Sequence, residues 1–346
     1  MLFALTGWTG GLHQRLSMLE LDAKLQADLR ALAQRWLQCT VHDDTASTAA
    51  LAARLRGAVR PMLRHRGAAR LQLIEQPQQQ PLPTLERLLM GLSQSLGFVL
   101  PQTHRLNLLA HIQDEGSDYA RHSTRGHQTN ASLAFHSDRC DLNLLLYVRV
   151  APRGGELSVV AYEEAAQRLR ELDAPAYEAL FDGFPFDLRD ERIFASLAWH
   201  WRPILWRHNG GLRGHYIRRF ITDSQRHDDC PRLSERQQHA LNRFDTVLES
   251  MREEHAFAPR AGELVLLNNY RVMHARTGFD DAPEPAAKRL ALRTWVAPFD
   301  SEPLPLALHA LAGSCIARSY RGGVGCGAEY LGRLGQTRII NMTEHA

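Results

Sequence analysis

His-x-Asp occurs three times in this chain of 346 residues: His42 with Asp44, His136 with Asp138, and His227 with Asp229. Residues i and i+2 of a strand face the same side, so such a pair can offer an imidazole and a carboxylate to one ion only where the chain is extended. The middle pair alone has that context. ASLAF precedes His136 and LNLLLYV follows it closely, whereas the other two pairs lie in polar, Asp-rich segments that read as turns or helix starts. A third ligand must come from a distant strand, and His274 is the candidate, at the end of the largely apolar run LVLLNNYRVMH. Two imidazoles and one carboxylate would leave an octahedral iron three open positions, enough for a bidentate oxoacid and dioxygen. The same donors could hold zinc for hydrolysis. With no metal, they read as a hydrogen-bonded core pair and a satisfied histidine at a strand end.

Further on lies Arg289-Leu-Ala-Leu-Arg293. On a strand the two arginines share one face, and Leu290 and Leu292 the other. Arginines on an inward face are costly unless they meet anions, so a bound carboxylate would account for them; solvated side chains on an outer face are the alternative.

These residues need strands to position them. From about Phe98 the chain turns to short apolar stretches separated by Gly, Asp, Asn and Pro, a β-rich pattern. Strands are predicted at residues 142–150, at ELSVVA after the turn at residues 151–155, at residues 262–269 and at residues 289–298. Helices are predicted over residues 163–172 and 234–254, the second capped by Ser234. The first third reads as helical. Leu21, Leu25, Leu29 and Leu32 keep helical spacing; a second helix starts near Ser47 or Thr48 and stops at Pro61; Thr84 caps a third, carrying Leu85, Leu88, Leu89, Leu92 and Leu96. A short strand is expected at residues 71–75, and the basic run from Arg64 to Arg70 as a solvated face. The expected division is a mostly helical extension over residues 1–95, packed on a barrel or sandwich with a helical insert over residues 96–346. No GxGxxG or GxxxxGK(S/T) follows a strand, and no repeat of solenoid or propeller length is present.

Composition narrows the function. The chain is 44% hydrophobic and 23% charged, which suits a packed globular core, and 41 Lys plus Arg against 38 Asp plus Glu give a charge of only +3. No nucleic-acid partner is expected from so balanced a charge, and no membrane partner, since no run of 18 apolar residues occurs. The start, MLFALTGWTGG, lacks a basic n-region, and Cys39, Cys140, Cys230, Cys315 and Cys326 form no CxxC, so a cytoplasmic location is expected. A homo-oligomer is left open.

The blocks HSDRCDLNLLLYVRVAPRGGELSVV, LLNNYRVMHARTGFDD and KRLALRTWVAP, in that order, with GHYIRRFITDSQR and LSERQQ between the first two, resemble the taurine dioxygenase and clavaminate synthase-like group of Fe(II)- and 2-oxoglutarate-dependent oxygenases. The resemblance covers about residues 95–300. It implies a mainly β fold with flanking helices around a double-stranded β-helix, the cupin-like jelly roll. It also implies His136, Asp138 and His274 as iron ligands, Arg289 as the anchor of the distal carboxylate of 2-oxoglutarate, and Arg293 beside the cosubstrate or substrate. The expected cofactors are Fe(II), 2-oxoglutarate and O2, and the expected reaction hydroxylates an unactivated C–H of a small, amino-acid-like or specialised metabolite, releasing succinate and CO2. Desaturation, epoxidation or cyclisation would use the same groups, and a non-catalytic barrel binding a carboxylate as sensor or scaffold is the reading of a different class.

One position departs from the group. A Thr or Ser commonly follows Gly-Gly-acidic and helps hold the cosubstrate, but here Leu157 stands there and Ser158 one residue later, on the other face of a strand. Ser158 is kept as a candidate contact. For the substrate, Asn130, Arg139, Tyr216 and Arg218 are candidates, with ordinary packing as the alternative for Tyr216.

Overall fold

The computed structural model describes residues 19–38, 45–103, 107–117, 126–189, 198–301 and 304. His42, Asp44, Cys39, Cys315, Cys326 and the first eleven residues therefore lie outside the described residues. In chain order the helices are α1 (Ala23–Gln38), α2 (Thr45–His65), α3 (Leu82–Leu96), α4 (Tyr162–Leu172), α5 (Ala174–Ala179), α6 (Arg218–Ser224) and α7 (Glu235–Ser250). The first strands are β1 (Ala68–Gln72), β2 (Gly97–Leu100), β3 (Leu109–Ile112), β4 (Leu133–His136), β5 (Leu142–Arg149), β6 (Arg153–Gly154), β7 (Leu157–Ala161) and β8 (Gly183–Asp187). The remainder are β9 (Trp199–Pro203), β10 (Leu205–His208), β11 (Gly211–Gly214), β12 (Ala256–Phe257), β13 (Glu263–Asn268), β14 (Val272–Arg276), β15 (Phe279–Asp280) and β16 (Leu290–Pro298).

Two antiparallel sheets form the core. The larger runs β1-β13-β5-β16-β2, with β3 also on β16, and the smaller runs β12-β7-β14-β4. The alternation of each strand shows why they face one another. On β5, Leu142, Leu144, Leu146 and Val148 point outward into one cluster with Leu29, Leu55, Leu88 and Leu92 of α1–α3, while Leu145 and Tyr147 join Leu157, Val159 and Val272 between the sheets. On β14, Met273 and Ala275 point outward beneath Phe244 and Leu248 of α7. The resulting layers, helices on sheet on sheet on helices, are the jelly-roll double-stranded β-helix with flanking helices.

Several local expectations change in this setting. Helix α2 passes through Pro61 and does not stop there. Proline forfeits the bond to the Gly57 carbonyl, and the packing of Leu51, Leu55, Val59 and Leu63 outweighs that loss. Helix α3 begins at Leu82 with proline in its first turn, where a missing N–H costs nothing, so Thr84 lies inside the helix and is not its cap. Arg70 leaves the solvated face: it is buried, and its Nε donates to Glu263 Oε1 at 2.6 Å, whereas the Arg64 side chain remains 56% exposed. Strand β1 pairs with β13 from Ala68↔Leu267 to Gln72↔Glu263, so residues before 96 supply an edge of the larger sheet as well as its helical cover. Ser234 caps α7 through a reciprocal capping box with Gln237. The hairpins β8–β9 and β10–β11 and the short helices α5 and α6 carried no sequence signal strong enough to predict.

Candidate active site

His136 closes β4, and its cross-strand partner on β14 is His274, the two rings lying 4.3 Å apart between centroids. Ser137 turns the opposite way: its Oγ is 2.6 Å from the Tyr162 hydroxyl and donates to the Val272 carbonyl at 3.2 Å. That anchor leaves His136 and Asp138 on the inner side together. The Asp138 amide donates to Asn269 Oδ1 at 2.9 Å, which places the loop after β4 against the turn before β14.

The Asp138 carboxylate is held by three donors on Oδ2: Asn143 Nδ2 at 2.6 Å, Trp295 Nε1 at 3.2 Å and Arg293 Nη1 at 3.3 Å. Burial pushes its pKa up, but Arg293, then His274 and His136, then Trp295, bring it below the ordinary carboxylate value. Burial lowers the pKa of both imidazoles, that of His274 to about 3. His136 Nδ1 lies 2.8 Å from the Ala134 carbonyl and so carries the proton, leaving Nε2 as the free lone pair. His274 Nδ1 is buried with no hydrogen-bond partner among the described residues. Two neutral imidazoles and one ionised carboxylate are a donor set that fits a divalent iron.

A cavity of about 170 Å³ contains these three residues together with Arg139, Arg218, Arg276, Arg289 and Arg293, and Leu157 forms part of its wall. Arg289 is buried between the rings of Tyr147 and Phe279, and its guanidinium donates to the Ile112 carbonyl at 3.4 Å and to the Tyr147 hydroxyl. Among the described residues it has no carboxylate partner, so the site fits an incoming carboxylate. Arg293 shares this inward face but spends Nε on Gln102 Oε1, at 2.7 Å, as well as Nη1 on Asp138. Ser158 lies elsewhere: it is fully buried and bonds the Arg252 carbonyl at 3.0 Å, away from the cavity. Asn130 is exposed, its carbonyl accepting from the Phe279 amide. Tyr216 is core, bonded to Asp245 and packed edge-on against Phe244. Arg218 borders the cavity while paired with Asp245 at 2.8 Å. His227 and Asp229 serve structure, the first bonding Asp187 and the second Trp199.

Sequence reading missed Asn143, Trp295 and Arg276. The last could have been found, since it stands two residues after His274 on the same strand face. It is anchored by the Thr129 and Ala131 carbonyls, the first at 2.8 Å.

Two other features compete on geometry and fail on chemistry. Among the described residues only Glu164, Glu254 and His255 bring one donor atom each within 4.8 Å of one another. Arg168 already spans that group, 2.8 Å from Glu254 and 3.4 Å from Glu164, so it is an ion-pair network. The donors of His136, Asp138 and His274 are spaced more openly than this. A larger cavity of about 750 Å³, bordered by Arg60, Trp206, Tyr270 and Phe299, contains none of the three.

Fold and site together define a cupin-like barrel with a two-histidine, one-carboxylate centre and a buried arginine beside it. Residues 19–295 match the family described as "Taurine catabolism dioxygenase TauD, TfdA family", and the chain belongs to that family of Fe(II)- and 2-oxoglutarate-dependent oxygenases. It is 27% identical over 208 residues to FR-33289 synthase of Streptomyces rubellomurinus, a match spanning 58% of this chain and 60% of that relative. Its fold is similar to asparagine oxygenase in complex with Fe(II), 2S,3S-3-hydroxyasparagine and succinate, with a TM-score of 0.62 at 16% identity, covering 88% of this chain and 98% of the other. It is also similar to the non-heme iron oxygenase OrfP in complex with iron and α-ketoglutaric acid, with a TM-score of 0.58 at 18% identity, covering 80% and 93%. At these identities the likeness is one of fold.

Proposed function

We propose that this chain is a Fe(II)- and 2-oxoglutarate-dependent dioxygenase that hydroxylates an unactivated C–H of a small metabolite. The observation that carries the reading is the joint placement of His136, Asp138, His274 and Arg289 in one buried cavity, with Arg289 facing no carboxylate among the described residues. Iron and 2-oxoglutarate, when bound, supply the oxidising chemistry, with succinate and CO2 as coproducts.

The chain's own residues orient these groups and keep water out. His136 and His274 offer imidazole lone pairs, because burial keeps both rings neutral. Asp138 offers a carboxylate whose Oδ2 is pinned by Asn143, Trp295 and Arg293, so its remaining lone pairs keep one direction. Arg289 receives the distal carboxylate of the cosubstrate, and the Tyr147 hydroxyl, inward on β5 beside that guanidinium, supplies the polar contact that Leu157 cannot. Leu157, Leu145 and Ile112 close the remaining wall with apolar surface.

Anaerobic titration of the Fe(II)-loaded protein with 2-oxoglutarate tests this reading. A weak visible metal-to-ligand charge-transfer band is expected. Its absence with iron confirmed bound would remove the cosubstrate and bring forward a barrel that only binds carboxylates.

A further inference from the structure

The larger cavity, about 750 Å³, shares no bordering residue with the oxygenase cavity and is walled by α2, the hairpin β10–β11, the turn before β14 and the segment after β16. Its size suits a whole small molecule. The charge of the protein is gathered there. Among the described residues five arginines and two aspartates border it, a formal excess of three that equals the net charge of the entire chain, so everything outside it balances. Arg56, Arg60 and Arg64 form one stripe of α2, because residues four apart share a helix face, and the stripe extends over about 12 Å. Arg60 Nη2 and Arg64 Nη2 both donate to Asp300 Oδ2, the second at 2.6 Å, and Arg56 Nη1 donates to the Ser95 carbonyl at 2.7 Å. The side chains of Arg60 and Arg64 are 55% and 56% exposed and that of Asp300 43%, so the point on which their donors converge is open to solvent.

One carboxylate answers two guanidinium groups here, which leaves a surplus of positive charge at that point and a third arginine one turn away. A dianionic phosphate meets that surplus better than a second carboxylate does. Phe299, next to Asp300 in the chain, is 58% exposed at the same cavity, and Trp206, Tyr270 and Leu304 pack together on its apolar side. An uncovered aromatic ring beside converging arginines is the combination that stacks a base and holds its phosphates. Residues 305–346, which follow on from this wall, carry four arginines against two glutamates, so charge does not select them as the occupant. We propose that the groove between α2 and the segment after β16 is a second ligand site, separate from the oxygenase cavity, for a phosphorylated molecule of the nucleotide type. Arg56, Arg60 and Arg64 hold its phosphates, and Phe299 stacks on its ring. The site requires neither iron nor 2-oxoglutarate, so it stands or falls independently of the oxygenase reading.

The test titrates ADP, pyrophosphate and adenosine by calorimetry into the full, metal-free chain, as wild type, the double variant Arg60→Gln/Arg64→Gln, Phe299→Ala and Arg289→Leu. ADP is expected to bind wild type at least about 10-fold more tightly than adenosine does. The double variant is expected to weaken ADP and pyrophosphate alike, by about 10-fold or more, since both lose hydrogen bonds from charged groups. Phe299→Ala is expected to weaken ADP by about 5-fold or more and to leave pyrophosphate unchanged, the mark of a stacked base. Arg289→Leu is expected to bind all three as wild type does. The altered groove side chains are each more than half exposed, so the fold is retained, and unfolding temperatures without ligand check this. No ADP binding by wild type overturns the proposal. So does ADP binding that is lost in Arg289→Leu and kept in the double variant, which would move the ligand to the oxygenase cavity. A dimer that the double variant dissociates, with no response to ADP, gives the groove to a second copy of the chain and overturns it likewise.

Discussion

At the scale of single residues, two identical local patterns have different fates. His136-x-Asp138 and His227-x-Asp229 look alike in sequence, yet the first faces a cavity and the second is consumed by Asp187 and Trp199. His136→Ala is therefore expected to lower bound iron from about one equivalent to below about one-tenth, whereas His227→Ala leaves it near one; metal analysis after anaerobic desalting checks both. Arg289→Leu is expected to weaken 2-oxoglutarate on the order of 100-fold with little change in iron content, because it removes a buried charge partner and no metal donor. Tyr147→Phe tests the replacement for the missing Thr or Ser, with a loss of cosubstrate affinity of about 5- to 10-fold, the worth of one hydrogen bond to a charged group. Cosubstrate binding unchanged in that variant would return Leu157 to the centre of the question.

At the scale of elements, the hairpin β8–β9 is fastened at its end by Asp187. Burial raises the pKa of that carboxyl, but bonds from Arg226, the Arg189 amide and His227 hold it below the ordinary value. A depressed folded-state pKa stabilises the protein above the unfolded value, about 3.9, and that contribution is lost as pH falls through the folded value. Asp187→Asn is thus expected to lower the unfolding temperature at pH 7, with the gap to wild type shrinking below about pH 4. A gap independent of pH would show that the bonds act through shape and not through charge.

At the scale of the whole molecule, helices α1–α3 and the larger sheet form one apolar cluster, whose helical members, Leu21 to Leu96, are remote in sequence from His136 and His274. Leu55, fully buried there, is expected on replacement by alanine to cost about 2–5 kcal/mol of stability, with catalytic parameters unchanged well below the unfolding temperature. A change in cosubstrate affinity without loss of stability would instead tie that layer to the site. No described helix is long and apolar enough to cross a membrane.

The amino-acid sequence by itself determined the strands that bear the site and the order in which they arrive. Period-two alternation, the turn at residues 151–155 and the runs ending at His274 and beginning at Arg289 are local features, legible without partners. Strand context alone also favoured His136-x-Asp138 over the other two pairs. Only the tertiary structure decided which face of each strand turns inward and what stands across from it, because cross-strand neighbours are hundreds of atoms apart along the chain. Ser158 and Leu157 exchange inside for outside by a single step of the pleat, and Tyr216, expected near substrate, is drawn into the core by Asp245 and Phe244. The hold of Asn143, Trp295 and Arg293 on Asp138 joins residues up to 157 positions apart. The burial of Arg202 is also invisible in sequence, since a buried arginine and a solvated one are spelled alike until the fold shows what surrounds them.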